Sequence, residues 1–532
     1  MNRRMASVFL PLVFGVAFTV ILLALVSWGT AQGSPAIRYI APAPTGSDSG
    51  GNDCTSSSSP CASFEHAISV SNPGDELHVA GGTYTHSINI TGTAFNQPVA
   101  FFDKPLKVIG GYDSSFQTSD PTLHSSVLDA GQLSSVVVIS NVHAVELNSL
   151  TLTGGNGSGN CPADVGCGGG IYAQKSTIVL NQMAITANVG SLSKQGNGGG
   201  IFADSSDLSV FNSLIRDNIA HTGPAGIYYE EGGGIYAIYS HVVLDGNRIE
   251  HNTASTTFGG EGGGLFLYDP SEASIINNEI LGNNASSAHW SGDGGGIYIR
   301  FCGKALIAKN NISGNWTNPN FAGYGGGVTI DGCGAEITQN IIFENHTQDP
   351  EQGFVAPGGG LNIASSEPVT VTNNLFFKNH STIGSGIYVS IYSGGTSKAT
   401  IVNNTFSEND KNHVAAGFYA DMTLENNIFT GSEDGIKLSP VLTGTISADT
   451  NLFWDTTDSF QGMNAIHANP FLNLALQPMP GSPALDTGKT IPWLTVDLVG
   501  STRPQGPAYD LGAFEGAAPP NYLFLPLVVQ SP

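Results

Sequence analysis

Charge is scarce in this sequence, and positive charge is the scarcest. Only 11% of the 532 residues are Asp, Glu, Lys or Arg, and 18 basic residues face 42 acidic ones, a formal net charge of −24. Such a surface repels phosphate backbones and anionic lipid headgroups, which argues against nucleic acid as a partner. Cysteine is sparse too: there are six, and no Cys-x-x-Cys pair supports a zinc site. After the first segment no apolar run is long enough to span a bilayer. No repeat holds an uninterrupted helical face, and the abundant Asn and Gly both oppose helix. What remains is polarity from Asn, Ser and Thr, 69 glycines, and 40% hydrophobic residues, which keeps the chain out of the disordered class.

Those glycines recur in a phrase. Gly168-Gly169-Gly170-Ile171-Tyr172 returns at Gly198–Phe202, Gly232–Tyr236, Gly262–Phe266, Gly294–Tyr298, Gly325–Val328 and Gly358–Leu361, at spacings of 30, 34, 30, 32, 31 and 33 residues. A second phrase, Asn-x-(Ile/Phe)-x-x-Asn, keeps step with it at Asn247–Asn252, Asn278–Asn283, Asn340–Asn345, Asn374–Asn379 and Asn404–Asn409. Self-similarity at this period marks a solenoid. Between the phrases apolar residues alternate with period two, as in Ser176–Leu180 and His241–Leu244, which is strand patterning. The expected fold is therefore all-β: a parallel β-helix, one coil per repeat, with like positions stacked roughly 4.8 Å apart. Asn at the turns tolerates left-handed angles and can hydrogen-bond its copies above and below. The spacing from Phe406 to Phe429 and on to Phe453 gives a bare coil of 23–24 residues, so longer repeats carry an extra loop.

The termini read differently. Arg3 and Arg4 precede an apolar run from about Val8 to Val26, followed by small residues, so residues 1–31 are expected to be a secretory signal peptide; an uncleaved membrane anchor is the alternative. Residues 37–140 read as an N-terminal cap with irregular first coils, 141–470 as the regular repeats, 471–516 as a C-terminal capping segment, and 517–532 as a hydrophobic tail. That tail reads as an anchoring segment or a last edge strand. Export suits disulfides. Cys54–Cys61 and Cys161–Cys167 are close in sequence. Cys302 and Cys333 each stand five residues after the Ile297/Val328 position, one coil apart, at a spacing a disulfide can bridge.

Two end segments carry resemblances. The short helix at Phe64–Ile68, the Pro73-Gly74-Asp75 turn and the strand at Glu76–Val79 resemble the N-terminal cap of right-handed parallel β-helix proteins of the pectin-lyase-like class. Gly481-Ser482-Pro483-Ala484-Leu485-Asp486-Thr487-Gly488, Arg503, and Asp510-Leu511-Gly512-Ala513-Phe514-Glu515 resemble the ends of bacterial surface β-helices of the choice-of-anchor type. The Gly and Asn phrases are similar to repeats of polymorphic outer-membrane adhesins, although the final segment is too short for a membrane barrel. These resemblances imply a right-handed, single-stranded β-helix, secreted or at the cell surface, with an adhesive or glycan-binding role.

Candidate chemistry sits where the loops insert. The aromatic residue after each triplet (Tyr172, Phe202, Tyr236, Phe266, Tyr298, Tyr388) forms a column that either packs on itself or stacks sugar rings. Loop aromatics Tyr228, Tyr229, Phe258, His289, Trp290, Trp316, Phe321 and Tyr324 crowd one rim, as binding residues do on a rigid scaffold. Glu231, Glu261 and Asp293 precede successive triplets. Stacked carboxylates must be protonated or bridged by a cation such as Ca²⁺, unless solvent screens them. The candidate binding set is therefore Glu231, Glu261, Asp293, Tyr229, His289, Trp290, Trp316 and Tyr324, with the three acids as candidate Ca²⁺ ligands. Arg300 is expected to pair with Asp331 one coil on. Polygalacturonase motifs are lacking, so the first reading is a monomeric, non-catalytic adhesin or glycan-binding scaffold for a polysaccharide or another surface component. A polysaccharide lyase or hydrolase, and a passive spacer, are the alternatives.

Overall fold

In a computed structural model the described residues are 35–86, 97–158, 166–192, 195–223, 230–288, 291–319, 321, 323–347, 355–391, 395–457 and 460–517. The expected signal segment and nearly all of the tail lie outside them. Three long parallel sheets form the faces of one coil stack. One has 14 strands, from Ile37–Ile40 to Ile446–Asp449; one has 12, from Ala100–Phe102 to Asp434–Leu438; one has 14, from Gly82–Tyr84 to Ile466–His467. Like residues stack in register: Ile171, Ile201, Ile235, Leu265, Ile297 and Val328 form one interior column. Near the C-terminal end the interior is filled by stacked Phe376, Phe406, Phe429 and Phe453, with centroids 5.0–5.1 Å apart. The expected all-β parallel coil is the fold.

Successive coils carry an arm. An outgoing strand such as Thr253–Ser255 and a returning one such as Gly260–Glu261 add short sheets of four and five strands. The glycine triplet is the neck where the arm rejoins the coil, and each glycine has its own reason. Gly262 turns the chain at φ +66°. A Cβ on Gly263 would lie 2.4 Å from the Asn284 carbonyl carbon, and one on Gly264 2.6 Å from the Gly296 oxygen. The triplet therefore marks close approach of three backbones.

The asparagine phrase builds two ladders, one from each Asn. Asn283 donates from Nδ2 to Oδ1 of Asn315 at 3.0 Å and to the Ile249 carbonyl at 2.8 Å, while its own Oδ1 accepts from Asn252. The other ladder runs through Asn247, Asn278, Asn310, Asn340, Asn374, Asn404, Asn427 and Asn451. The rungs are buried, and between them stands an interior Ile or Phe.

The cap helix spans Phe64–Val70, with Ser63 accepting from the His66 amide and Phe64, Ala67 and Ile68 buried. Asp75 of the adjoining turn accepts from the Ala36 and Asn72 amides and from Arg38 Nε at 2.6 Å. Cys54–Cys61 and Cys302–Cys333 are disulfides with Cα separations of 5.2 and 4.8 Å; Cys161, the expected partner of Cys167, lies outside the described residues. At the turn leading into the first long sheet, Ser176, Ser206 and Ser240 cap the amide one coil below, and in later coils Cys302 and Cys333 take that column.

Residues 471–516 run back along the flank of the stack. Their backbone meets Gln339, Asn373, Asn403 and Asn426 on four successive coils. Ala484, Ile491, Leu494, Tyr509, Leu511, Ala513 and Phe514 cover Leu375, Val402, Ile428 and Leu452. The terminal motif is structural. Buried Arg503 pairs with Glu515 at 2.8 Å and reaches Asn373, while Asp510 receives the Asp486 and Gly516 amides.

Candidate functional site

The aromatic column is a packed layer. Tyr172, Phe202, Tyr236, Phe266 and Tyr298 are 0–8% exposed, with ring centroids 4.9–5.7 Å apart. The rings pack on one another in a buried layer, so the column offers no ring to a sugar.

Beside it runs the acid column. Glu231 pairs in register with Glu261, and Glu261 with Asp293; all three are half-buried. Burial pushes Glu231 up to about 7, against a hydrogen bond from the Tyr236 hydroxyl. Burial, with Asp293 and Glu231 alongside, pushes Glu261 up to about 8. Burial raises Asp293 to about 6, opposed by the Tyr324 amide that it accepts at 2.9 Å. The next residue back, Glu230, is wholly buried, one oxygen accepting from the Gly196 amide and the other meeting no partner among the described residues; burial lifts it to about 8.

Arg300 closes the column from outside. Its Nε stands 3.1 Å from Asp331 and its Nη1 3.9 Å from Glu261, as the one-coil offset of Arg300 and Asp331 leads one to expect. The Tyr298 hydroxyl donates to the same Asp331 oxygen at 3.3 Å. Burial disfavours the Arg300 cation, but Tyr298, Glu261 and Asp331 around it hold its pKa above the usual arginine value. The guanidinium is thus fixed as a cation and is no proton-abstracting base. Glu261, which keeps its proton to about pH 8, and Asp331 could serve as an acid–base pair.

The acids do not gather around a single point. Among the described residues, the one set of three His, Cys, Asp or Glu ligand atoms lying within 4.8 Å of one another is Cys54, Cys61 and His66, whose cysteines are in a disulfide. Glu231, Glu261 and Asp293 are stacked rather than convergent, and the Arg300 guanidinium lies 3.9 Å from the middle one, Glu261.

Tyr228, Tyr229, His289 and Trp290 lie outside the described residues. Trp316 stacks on His346 at 3.9 Å, and His346 on His380 at 4.3 Å, so its ring is engaged in a half-buried column on the outgoing strands. Tyr324 is the next rung beyond Asp293 and meets it through its backbone amide. The structure therefore gathers Glu231, Glu261, Asp293 and Tyr324, and sets Trp316 on a separate column. Pattern reading missed Tyr239, Tyr268 and Phe301. They stack edge to face at 6.1 and 5.7 Å along the turn beside Arg300, and Tyr239 and Phe301 are 56% and 46% exposed. The Arg300 guanidinium lies 4.9 Å above the Phe301 ring.

Comparison with known proteins agrees with this architecture. Residues 199–390 match the family model described as a right handed beta helix region, and the chain is an all-β, right-handed parallel β-helix. No curated protein matches the sequence. Among solved structures, pectate lyase Pel9A is similar at 15% identity, with 91% of this chain and 97% of that one covered and a TM-score of 0.34. The PL6 family alginate lyase AlyGC is similar at 13% identity over 78% of this chain and 53% of that one, TM-score 0.40. An alginate lyase from Paenibacillus sp. is similar at 13% identity over 73% and 96%, TM-score 0.30.

Proposed function

We propose that this protein is an exported, cell-surface β-helix that binds a polysaccharide at the Arg300 edge without cleaving it. One observation carries the reading. Arg300, ion-paired with Asp331 at 3.1 Å and 3.9 Å from the Glu261 carboxyl, lies directly beside the exposed ring of Phe301. Planar charged groups fix sugar hydroxyls, and an aromatic face receives the apolar side of the ring. The disulfides and the N-terminal segment support export. A hydrolase is the second reading, favoured by the proton-bearing Glu261 facing Asp331 across Arg300.

The test is to incubate the purified protein with acidic and neutral polysaccharides, with and without Ca²⁺, and follow both retention and new chain ends. Retention without new ends, weakened for at least one polymer in Arg300→Ala and Phe301→Ala, is the expected result. Cleavage abolished by Glu261→Gln would replace binding with hydrolysis. Neither signal would leave a passive spacer.

A further inference from the structure

A second concave feature lies on the turn three coils before Phe301. At this turn the small serines that cap neighbouring amides, Ser176 and Ser206, form a floor. The turn residues Lys175 and Tyr239 make one wall. Asp207 and His241, in register at the start of the next strands, make the other. His143 closes the N-terminal side, and the groove encloses about 340 Å³, within the range of small-molecule sites.

Tyr239 is the exposed aromatic ring at this groove. It occupies the left-handed region at φ +52°, a turn position that Lys175, Ser205, Asp269 and Phe301 fill in other coils, all at positive φ. The side chain is 56% exposed. Its ring meets Tyr268 edge to face on one side, and the rest of it stands in solvent over the polar groove. It serves a ligand with an apolar face well.

The charge of the groove narrows the ligand. Lys175 and Asp207 are the two charged residues of the lining, one of each sign, and the rest is hydroxyl, amide and imidazole. On a chain with net charge −24 an anionic ligand would be repelled at long range. We infer that this groove is a subsite for a neutral hexose or pentose unit of a glycan chain, its ring face on Tyr239 and its hydroxyls on Asp207, His241 and Lys175. The subsite goes beyond the Arg300 edge and uses none of its residues.

The test is calorimetric titration of the intact protein with cello-, manno- and xylohexaose, and with a hexagalacturonate as the charged control. Tyr239→Asn is the main variant, since Asn is at ease at positive φ and leaves folding intact. Asp207→Asn is the second. At least one neutral hexasaccharide should bind, with affinity falling tenfold or more in Tyr239→Asn and in Asp207→Asn, and unchanged in Arg300→Ala. Loss in Arg300→Ala alone would overturn the groove while supporting the other edge. Failure of every neutral hexasaccharide to bind, or binding of the galacturonate alone, would overturn the proposal.

Discussion

Two columns of identical geometry run along this stack and obey opposite energetics. In the asparagine ladder each amide both donates and accepts, so every added rung satisfies the one before it. In the acid column each carboxylate accepts and cannot donate unless it keeps a proton, so every added rung worsens the one before it. The ladder is self-sufficient and lies in the interior. The acid column depends on Tyr236, on Arg300 and on retained protons, and lies at the edge. Repetition by itself is neutral: the chemistry of the repeated group decides whether stacking stabilises or creates a demand.

The comparison breaks most sharply at the ladder. Asn283→Leu would orphan both Asn252 donors to Oδ1 and take the side-chain donor from the Ile249 carbonyl and from Asn315 Oδ1, which keeps only the residue-283 amide, and should cost about 3 kcal/mol, read as a lower midpoint in urea unfolding. A smaller effect is expected at the edge. Arg300→Gln removes a partly exposed countercharge and should cost about 1–2 kcal/mol at pH 8 and less at pH 5, where Glu261 keeps its proton, visible as a pH-dependent difference in thermal midpoint.

The pH profile sharpens the contrast further. Glu231 and Glu261 hold protons in the fold to about 7 and about 8, against an ordinary carboxyl value of 4.5. Raised acids contribute full stability below that ordinary value, and the contribution is lost as pH rises through 7 to 8. The thermal midpoint should therefore fall between pH 5 and pH 8. Glu261→Gln should flatten part of that slope and add about 0.5–2 kcal/mol at pH 8. The smallest effect concerns metal. With Arg300 in place, millimolar Ca²⁺ should leave the pH 8 midpoint unchanged, and a rise of several degrees would show that the carboxylates converge on a cation after all.

The legibility of the chain follows from the same periodicity. Coil type, both ladders, the Cys302–Cys333 bridge and the Arg300–Asp331 pair were readable because each repeats at one coil's spacing, which fixes what touches what. The acid column was readable as position, but its countercharge was not, because Arg300 reaches across two columns. Exposure of the aromatic column was unreadable, since it depends on how closely its rings pack on one another. Tyr239 and Phe301 were hidden because their turn column, from Asn141 through Lys175, Ser205, Asp269 and Gly332, repeats no residue type. The path of residues 471–516 was likewise illegible. Its motif shows which groups pair with each other and says nothing of the flank they lie on.

That flank attachment has a mechanical consequence. Because residues 489–512 are fastened to coils at Asn373, Asn403 and Asn426 by side-chain amides, a pull applied beyond residue 517 is distributed over several coils at once. The load acts in shear along the stack rather than peeling the final coil, and many hydrogen bonds must rupture together before the solenoid begins to unravel.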